Sequence, residues 1–395
     1  MEEEGDEAEA EDRAVADFGR YPLSVQGIQR EYPEKSVSQA ESILHAGLSI
    51  ALDSTPASTS TSSSSSSSSS RNPIGQAEGK GKERVVLALG PYGATTKPGS
   101  EYSGLYPGPY GFGSVLDPGS SNSATDLEDK RAEDALYEWH KGRLEAYRKS
   151  ERWGEVEWVG YETIPLIREI KAIRRAIASF SSPTPSTSSN TGTGDKGLGV
   201  GPKVWIGCTF PDGLSPQTKH GETRDGGRYS VEDTVRALLE GDEGRPEGVG
   251  INCTNPAFLP TLVQQFNDTL RTIQSDQLSS QQPSQPPQSQ QEPAPTSTST
   301  STLGQRDGGT GTSKDDRPWF IVYPDGGQVY DPLTRTWSKE KMTPQEWAER
   351  MMDVVKDVDQ SGLWTGMIVG GCCKTSADEI GELRRRVDEY VAARD

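Results

Sequence analysis

Two cysteines stand side by side at Cys372 and Cys373, directly behind Gly370-Gly371, and a third, Cys253, sits between Asn252 and Thr254. Each group follows a short apolar run that reads as a buried strand: Gly248–Ile251 before Cys253, and Met367–Val369 before Cys372. Side chains alternate faces along a strand, so adjacent cysteines cannot share one target inside a regular strand. The chain must leave strand geometry there, and the glycine pair supplies the backbone freedom to do so. Three thiols delivered from strand ends match the protein half of a catalytic zinc site, which uses three protein ligands and keeps a fourth position open. The competing reading is three small buried hydrophobes, since free cysteine is among the most buried residue types. The Asn-Cys-Thr setting and the flanking glycines favour the metal. Oxidation of Cys372 to Cys373 would close a strained ring, which weighs against a redox switch built on that pair.

The rest of the chain alternates apolar strands with amphipathic helices. Strands are predicted at Val85–Leu89, Glu157–Tyr161, Lys203–Cys208, Gly248–Asn252, Trp319–Tyr323 and Met367–Val369. They are short and continuously apolar, as strands covered on both faces of a parallel sheet tend to be. Helices are predicted at Val37–Ala51, Ala132–Arg148, Leu166–Ala178, Val231–Leu239, Ala257–Ile273, Pro344–Val358 and Ala377–Ala392. Such an order suits either a doubly wound sheet or a (β/α)8 TIM barrel. The polar residues favour the barrel. Gly90–Gly93, Glu162-Thr163, Cys253, Tyr323-Pro324 and Cys372-Cys373 all fall at predicted strand ends, and in a barrel those ends converge on one face. An open sheet would string them along an edge. Only six strands are found, so the expectation is an incomplete barrel with the first two strands absent.

Composition sets further bounds. Of 395 residues, the stretches 54–80, 181–201 and 274–315 are dominated by Ser, Thr, Gln, Gly and Pro. They hold too little apolar content to offset ordering entropy, so they are expected as disordered insertions. Residues 1–20 form an acidic tail, expected to be solvated, and residues 21–395 a single barrel domain carrying the three insertions. The formal net charge of −18 argues against nucleic acid and anionic membrane surfaces as partners. The acidic start lacks a secretory signal's basic and apolar regions, and no run is long enough to span a membrane. Few, clustered cysteines point to reduced thiols and a cytoplasmic location. His45, His140 and His220 lie in no ligand-like cluster and are expected to be structural or exposed.

Several motifs together resemble the homocysteine S-methyltransferase family. They are Val86–Ala94 followed by Gly99–Gly104, Tyr161–Pro165, Gly250–Thr254, Val322–Tyr330 and Gly370–Thr375, in matching order from about Tyr21 to the C-terminus. The branch most resembled is the one using S-methylmethionine or S-adenosylmethionine, in a fungal-type version with long Ser- and Gln-rich inserts. The resemblance implies a (β/α)8 barrel with zinc held by Cys253, Cys372 and Cys373. It implies that Glu162 faces the amino group of homocysteine, and that Cys208 belongs to the core. Tyr92, Tyr102, Asn252 and Tyr323 are further candidates for substrate contact, with Tyr106 beside Tyr102. Asn252 has two readings, as an orienting partner of Cys253 or as a local backbone cap. The family's first strand ends in an Asp-Gly-Gly motif that has no counterpart here, so an incomplete N-terminus or a shortened, impaired homologue is expected. The implied activity is zinc-dependent methyl transfer from the sulfonium donor to homocysteine, giving methionine. The alternative is a non-catalytic homologue that binds metal or partners.

Overall fold

Every strand expected from the apolar runs forms, and the strands pair in chain order. The structure is a computed structural model, which describes residues 24–53, 85–97, 99–111, 122–181, 201–219, 227–280, 317–328, 330–331, 336–338 and 341–394. Strands β1 (Val86–Leu89), β2 (Trp158–Ile164), β3 (Lys203–Cys208), β4 (Gly248–Asn252), β5 (Trp319–Tyr323) and β8 (Met367–Val369) make one sheet in the order β1-β2-β3-β4-β5-β8. All five pairings are parallel. A small antiparallel pair, β6 (Tyr330–Asp331) and β7 (Thr336–Trp337), follows β5. No sequence signal pointed to that pair.

The helices are α1 (Val25–Glu31), α2 (Val37–Asp53), α3 (Asn122–Arg148), α4 (Ile167–Ser181), α5 (Val231–Leu239), α6 (Leu259–Ser280), α7 (Pro344–Ser361) and α8 (Ala377–Ala392). Each packs on the next in sequence, from α1 with α2 through to α7 with α8. A doubly wound sheet reverses its strand order at a switch point and sends helices to both faces. Here the order never reverses, which removes that alternative. The expected closure is not seen either: among the described residues, no ladder joins β1 to β8, and both are edges. The architecture is thus an open, six-stranded parallel α/β sheet.

Alternation divides the sheet's residues between two faces. Val159, Tyr161, Val204, Ile206, Cys208, Val249, Ile251, Phe320 and Val322 belong to the main core, together with the apolar stripes of the helices. Cys208 is buried there, as expected. Trp158, Trp205 and Ile321 form a second cluster, joined by Trp319 and Tyr323. Glycine makes room for it: a Cβ on Gly160 would stand 2.6 Å from the Trp205 ring. Glu162, Asn252 and Tyr323 share this face by register.

Helix ends are set by local chemistry. Ser230, Thr343 and Ser376 open α5, α7 and α8 with capping boxes closed by Asp233, Glu346 and Glu379. Each box satisfies two otherwise orphan backbone donors. Gly362, at φ 65°, ends α7 in the left-handed conformation that glycine adopts without strain. Trp347, Ala348, Met351, Met352, Val354, Val355 and Val358 bury one face of α7. Burying a side chain of this size contributes about 2 kcal/mol.

Several boundaries differ from expectation. Strand β2 runs past Tyr161 to Ile164, so Glu162 and Thr163 lie inside it, where the pairing with β3 becomes irregular. Helix α3 begins at Asn122 instead of Ala132, because its polar first turns carry no apolar period. Helix α6 continues to Ser280, past the expected insertion boundary at 274. The tail 1–20 and most of the three insertions lie outside the described residues, as does His220. The insertions fall between α2 and β1, α4 and β3, and α6 and β5, each leading from a helix into the start of a strand. No helix among the described residues is long and apolar enough to cross a membrane.

Candidate metal centre

Strand β4 is buried along its whole length and ends at Asn252. The next residue, Cys253, turns out of the strand at φ 44°. Its N–H donates to the Tyr323 carbonyl at 3.2 Å, and its carbonyl accepts from the Thr209 hydroxyl at 3.0 Å. The ends of β3 and β5 therefore hold it on both sides. Thr254 extends the seam, its hydroxyl accepting from the Phe210 N–H and donating to the Asn252 carbonyl, both at 3.0 Å.

The vicinal pair is held by a second seam. Gly370 N–H donates to the Val322 carbonyl at 2.9 Å and Cys372 N–H to the Pro324 carbonyl at 2.7 Å. In return, Gly326 N–H donates to the Cys373 carbonyl at 2.8 Å. The chain leaves strand geometry after Val369, as the adjacent cysteines required. Neither glycine of the pair adopts a positive φ, however; the left-handed residue is Lys374, at φ 65°. Gly371 serves instead as a close approach, since a Cβ there would lie 2.6 Å from Thr375 Cβ.

The three sulfurs lie within 4.8 Å of one another. Cys253 and Cys372 are joined as a disulfide, their Cα atoms 5.6 Å apart, and Cys373 takes no part in that bond. This is a different pair from the adjacent one. A disulfide and a three-thiolate ligand set are alternative states of the same atoms, and the ligand role belongs to the reduced state. Three soft thiolates converging from two strand ends fit Zn²⁺, with one coordination position left for a further ligand.

Polar residues gather around the sulfurs. Among the described residues, the non-glycine positions with left-handed backbone are Thr163, Cys253 and Lys374. One follows Glu162, one is a ligand candidate, and one follows Cys373. Each such conformation costs about 1–3 kcal/mol and persists only where surrounding contacts over-determine it. Glu162 Oε2 accepts from the Tyr323 hydroxyl at 3.2 Å. Burial raises the Glu162 pKa and that hydrogen bond opposes the rise. Burial, then the Glu162 charge, lifts the Tyr323 phenol well above its ordinary range. Asn252 spends both ends of its amide on Thr163, accepting from its N–H at 2.7 Å and donating to its hydroxyl at 2.8 Å. Tyr102 lies against Cys373, to which its hydroxyl is hydrogen-bonded; burial, then the charge of Cys373, raises its pKa well above the usual phenol value.

Asp325 was not singled out from the sequence, where Pro324-Asp325-Gly326-Gly327 reads as a turn. It is 8% exposed, and burial pushes its carboxyl up to about 6 against the lowering effect of the Gly327 N–H. The Trp347 indole N–H donates to its carbonyl at 2.9 Å.

Tyr92 belongs to a neighbouring cluster. Its ring stacks on Tyr110 at 3.8 Å and meets Tyr106 and Trp139 edge-on. Beneath them lies Glu169, fully buried, which accepts from the Tyr92 N–H at 2.7 Å and the Tyr106 hydroxyl at 2.6 Å. His140 Nε2 reaches the same carboxylate at 3.0 Å, and Arg143 binds the Gly90 carbonyl at 2.7 Å. Burial lowers the His140 pKa. His140 is thus structural, as expected, and anchors the loops after β1. His45, for its part, meets the Ala146 carbonyl at 2.8 Å.

Comparison with known proteins supplies independent findings. The sequence profile described as homocysteine S-methyltransferase matches residues 26–387. The chain is 24% identical over 303 residues to homocysteine S-methyltransferase YbgG of Bacillus subtilis, covering 76% of this chain and 61% of that protein. It is 25% identical over 259 residues to homocysteine S-methyltransferase 2 of Saccharomyces cerevisiae, covering 65% and 54%. Against betaine-homocysteine S-methyltransferase of Drosophila melanogaster, identity is 22% over 304 residues, covering 77% and 62%. The crystal structure of the homocysteine methyltransferase MmuM from Escherichia coli, metallated form, aligns with a TM-score of 0.45 and 16% identity, covering 93% of this chain and 77% of that one. The chain thus spans about three fifths of the length of the first of these relatives. With a profile match running through nearly all the described elements, the chain belongs to the homocysteine S-methyltransferase family.

Proposed function

We propose that this protein transfers a methyl group from a sulfonium donor, S-methylmethionine or S-adenosylmethionine, to the thiol of homocysteine, giving methionine. The observation that carries the reading is the gathering of Cys253, Cys372 and Cys373 within 4.8 Å at the ends of β4 and β8. In the reduced state these residues would hold Zn²⁺, with the fourth position left to substrate sulfur. Bound there, zinc would favour the deprotonated thiol at neutral pH and hold it in place for attack.

The chain's own residues supply the rest. Three thiolates outweigh the charge of one dication, so the site keeps a negative balance that attracts a sulfonium and leaves the bound sulfur electron-rich. The new bond forms between homocysteine sulfur and the methyl carbon as the donor's own methyl–sulfur bond breaks. The donor departs as a neutral thioether, and the homocysteine thiol proton passes to solvent. Glu162, partly buried beside Tyr323, is suited to receive the substrate's ammonium group, whose charge would favour the ionised carboxylate. Tyr102, hydrogen-bonded to Cys373, borders the same cluster. The parallel sheet in sequential order and the family relationship support a barrel wall of six strands as the frame of this site.

Metal analysis of the reduced, purified chain tests this directly. The expected result is about one zinc per chain, lost on Cys253→Ala or Cys373→Ala, with methionine formed from homocysteine and S-methylmethionine. Reduced protein that holds no zinc when the metal is supplied would overturn the mechanism.

A further inference from the structure

Asn252 and Thr163 form a closed polar pair between two strand ends. The Asn252 side chain is fully buried and Thr163 is 8% exposed. Thr163 stands at φ 61°, where a β-branched residue is strained unless its surroundings hold it. The hold is visible. Asn252 Oδ1 accepts the Thr163 N–H at 2.7 Å, and Asn252 Nδ2 donates to Thr163 Oγ1 at 2.8 Å. The β2–β3 register is irregular between Tyr161 and Ile164, so the sheet ladder does not itself fix this backbone. Strand β3 makes space for the pair: a Cβ on Gly207 would lie 2.8 Å from Asn252 Oδ1 and 3.4 Å from the Tyr323 hydroxyl.

The neighbours on either side give the pair its consequence. Glu162 precedes Thr163, and Cys253 follows Asn252. A rigid, two-bonded link between Thr163 and Asn252 therefore fixes the carboxylate-bearing strand against the sulfur-bearing one. We propose that Asn252 and Thr163 are positioning residues, which lock a left-handed turn in β2 so that Glu162 meets the ammonium group of an amino-acid thiol bound at the three cysteines. The inference rests on the reading of Glu162 given above. With its amide committed to Thr163, Asn252 acts through Glu162 instead of touching substrate.

Binding preference tests the role, because a purely structural contribution would weaken all ligands alike. The reduced, zinc-loaded full chain is titrated calorimetrically with L-homocysteine and with 4-mercaptobutyrate, the same thiol acid without the amino group. The unmodified chain should prefer homocysteine by about tenfold or more, the scale of one charge-assisted contact. Asn252→Ala should erase most of that preference while zinc content stays at about one per chain. Thr163→Ala is milder, since it keeps its N–H on Asn252, and it should reduce the preference too; it decides the matter if the first variant fails to fold. Thr163→Ser restores the hydroxyl and with it most of the preference. A wild-type preference that survives in the folded alanine variants would overturn the inference alone. Equal affinity of the unmodified chain for both thiols would overturn the reading of Glu162, and the inference with it.

Discussion

Replacing Asp325 with Asn is expected to stabilise the reduced, metal-free protein, by an amount that grows with pH. The carboxyl is 8% exposed and titrates at about 6 in the fold, against an ordinary value of 3.8. Burial is the cause. Below the ordinary value both folded and unfolded chains carry a neutral acid, and the residue makes no pH-dependent contribution. As pH rises through the window, the unfolded chain releases its proton first, while the native state keeps its own until about 6. Native protein binds more protons there, so stability falls with rising pH. The gap of about 2 pH units, at about 1.4 kcal/mol per unit, sets the full loss at about 3 kcal/mol above neutrality. Asparagine cannot ionise, and its Oδ1 can still accept the Gly327 N–H that Asp325 Oδ1 takes at 2.7 Å. Any offset from its extra amide donor would be independent of pH. The assay is urea unfolding of both proteins at fixed ionic strength from pH 4 to pH 8, with the difference in unfolding free energy plotted against pH. Over that range the difference should climb by about 2 kcal/mol in favour of the Asn variant, the rest of the loss lying below pH 4. A flat difference, or one that moves the other way, would refute the assignment of a destabilising buried carboxylate.

Two further substitutions probe the frame around the site. Gly250→Ala drives a Cβ onto the Ile321 carbonyl, with the Ile321 Cα only 2.9 Å away, so β4 and β5 must separate. The expected loss is about 3 kcal/mol or more on urea unfolding, and an unchanged midpoint would contradict the strand register. Tyr106→Phe removes the hydroxyl that Glu169 Oε2 accepts at 2.6 Å. Leaving a buried carboxylate short of a donor should cost about 2 kcal/mol, with zinc content unaffected. A loss of zinc together with normal stability would show that the loops after β1 act on the cysteines directly.

The strands and the three cysteines could be read from residues alone because their signal is local. Continuous apolar runs such as Gly248–Asn252 have few other uses, and two adjacent cysteines demand an end to strand geometry. Boundaries in polar surroundings were harder. The first turns of α3 carry no apolar stripe, and Glu162 sits inside an irregular stretch of β2 that periodicity cannot detect. The Glu169 cluster was missed for a different reason. In sequence Glu169 is one more charged residue near the start of a helix, and only the fold brings Tyr92, Tyr106 and His140 onto its carboxylate. Asp325 was hidden by its turn-like neighbours, since nothing local shows that the turn is buried. The sequence leaves the amide of Asn252 between several readings, and only the fold shows that its partner is Thr163 on another strand.

The three low-complexity stretches share a location with a practical meaning. Each enters where a helix hands over to the next strand, and in a parallel sheet all such points lie along the border opposite the cysteines. Growth or shrinkage of the chain there adds closure entropy only slowly, about 0.6 kcal/mol per doubling of loop length. An affinity tag or fluorescent reporter spliced into any of the three would be tethered at the strand starts, across the sheet from the three cysteines.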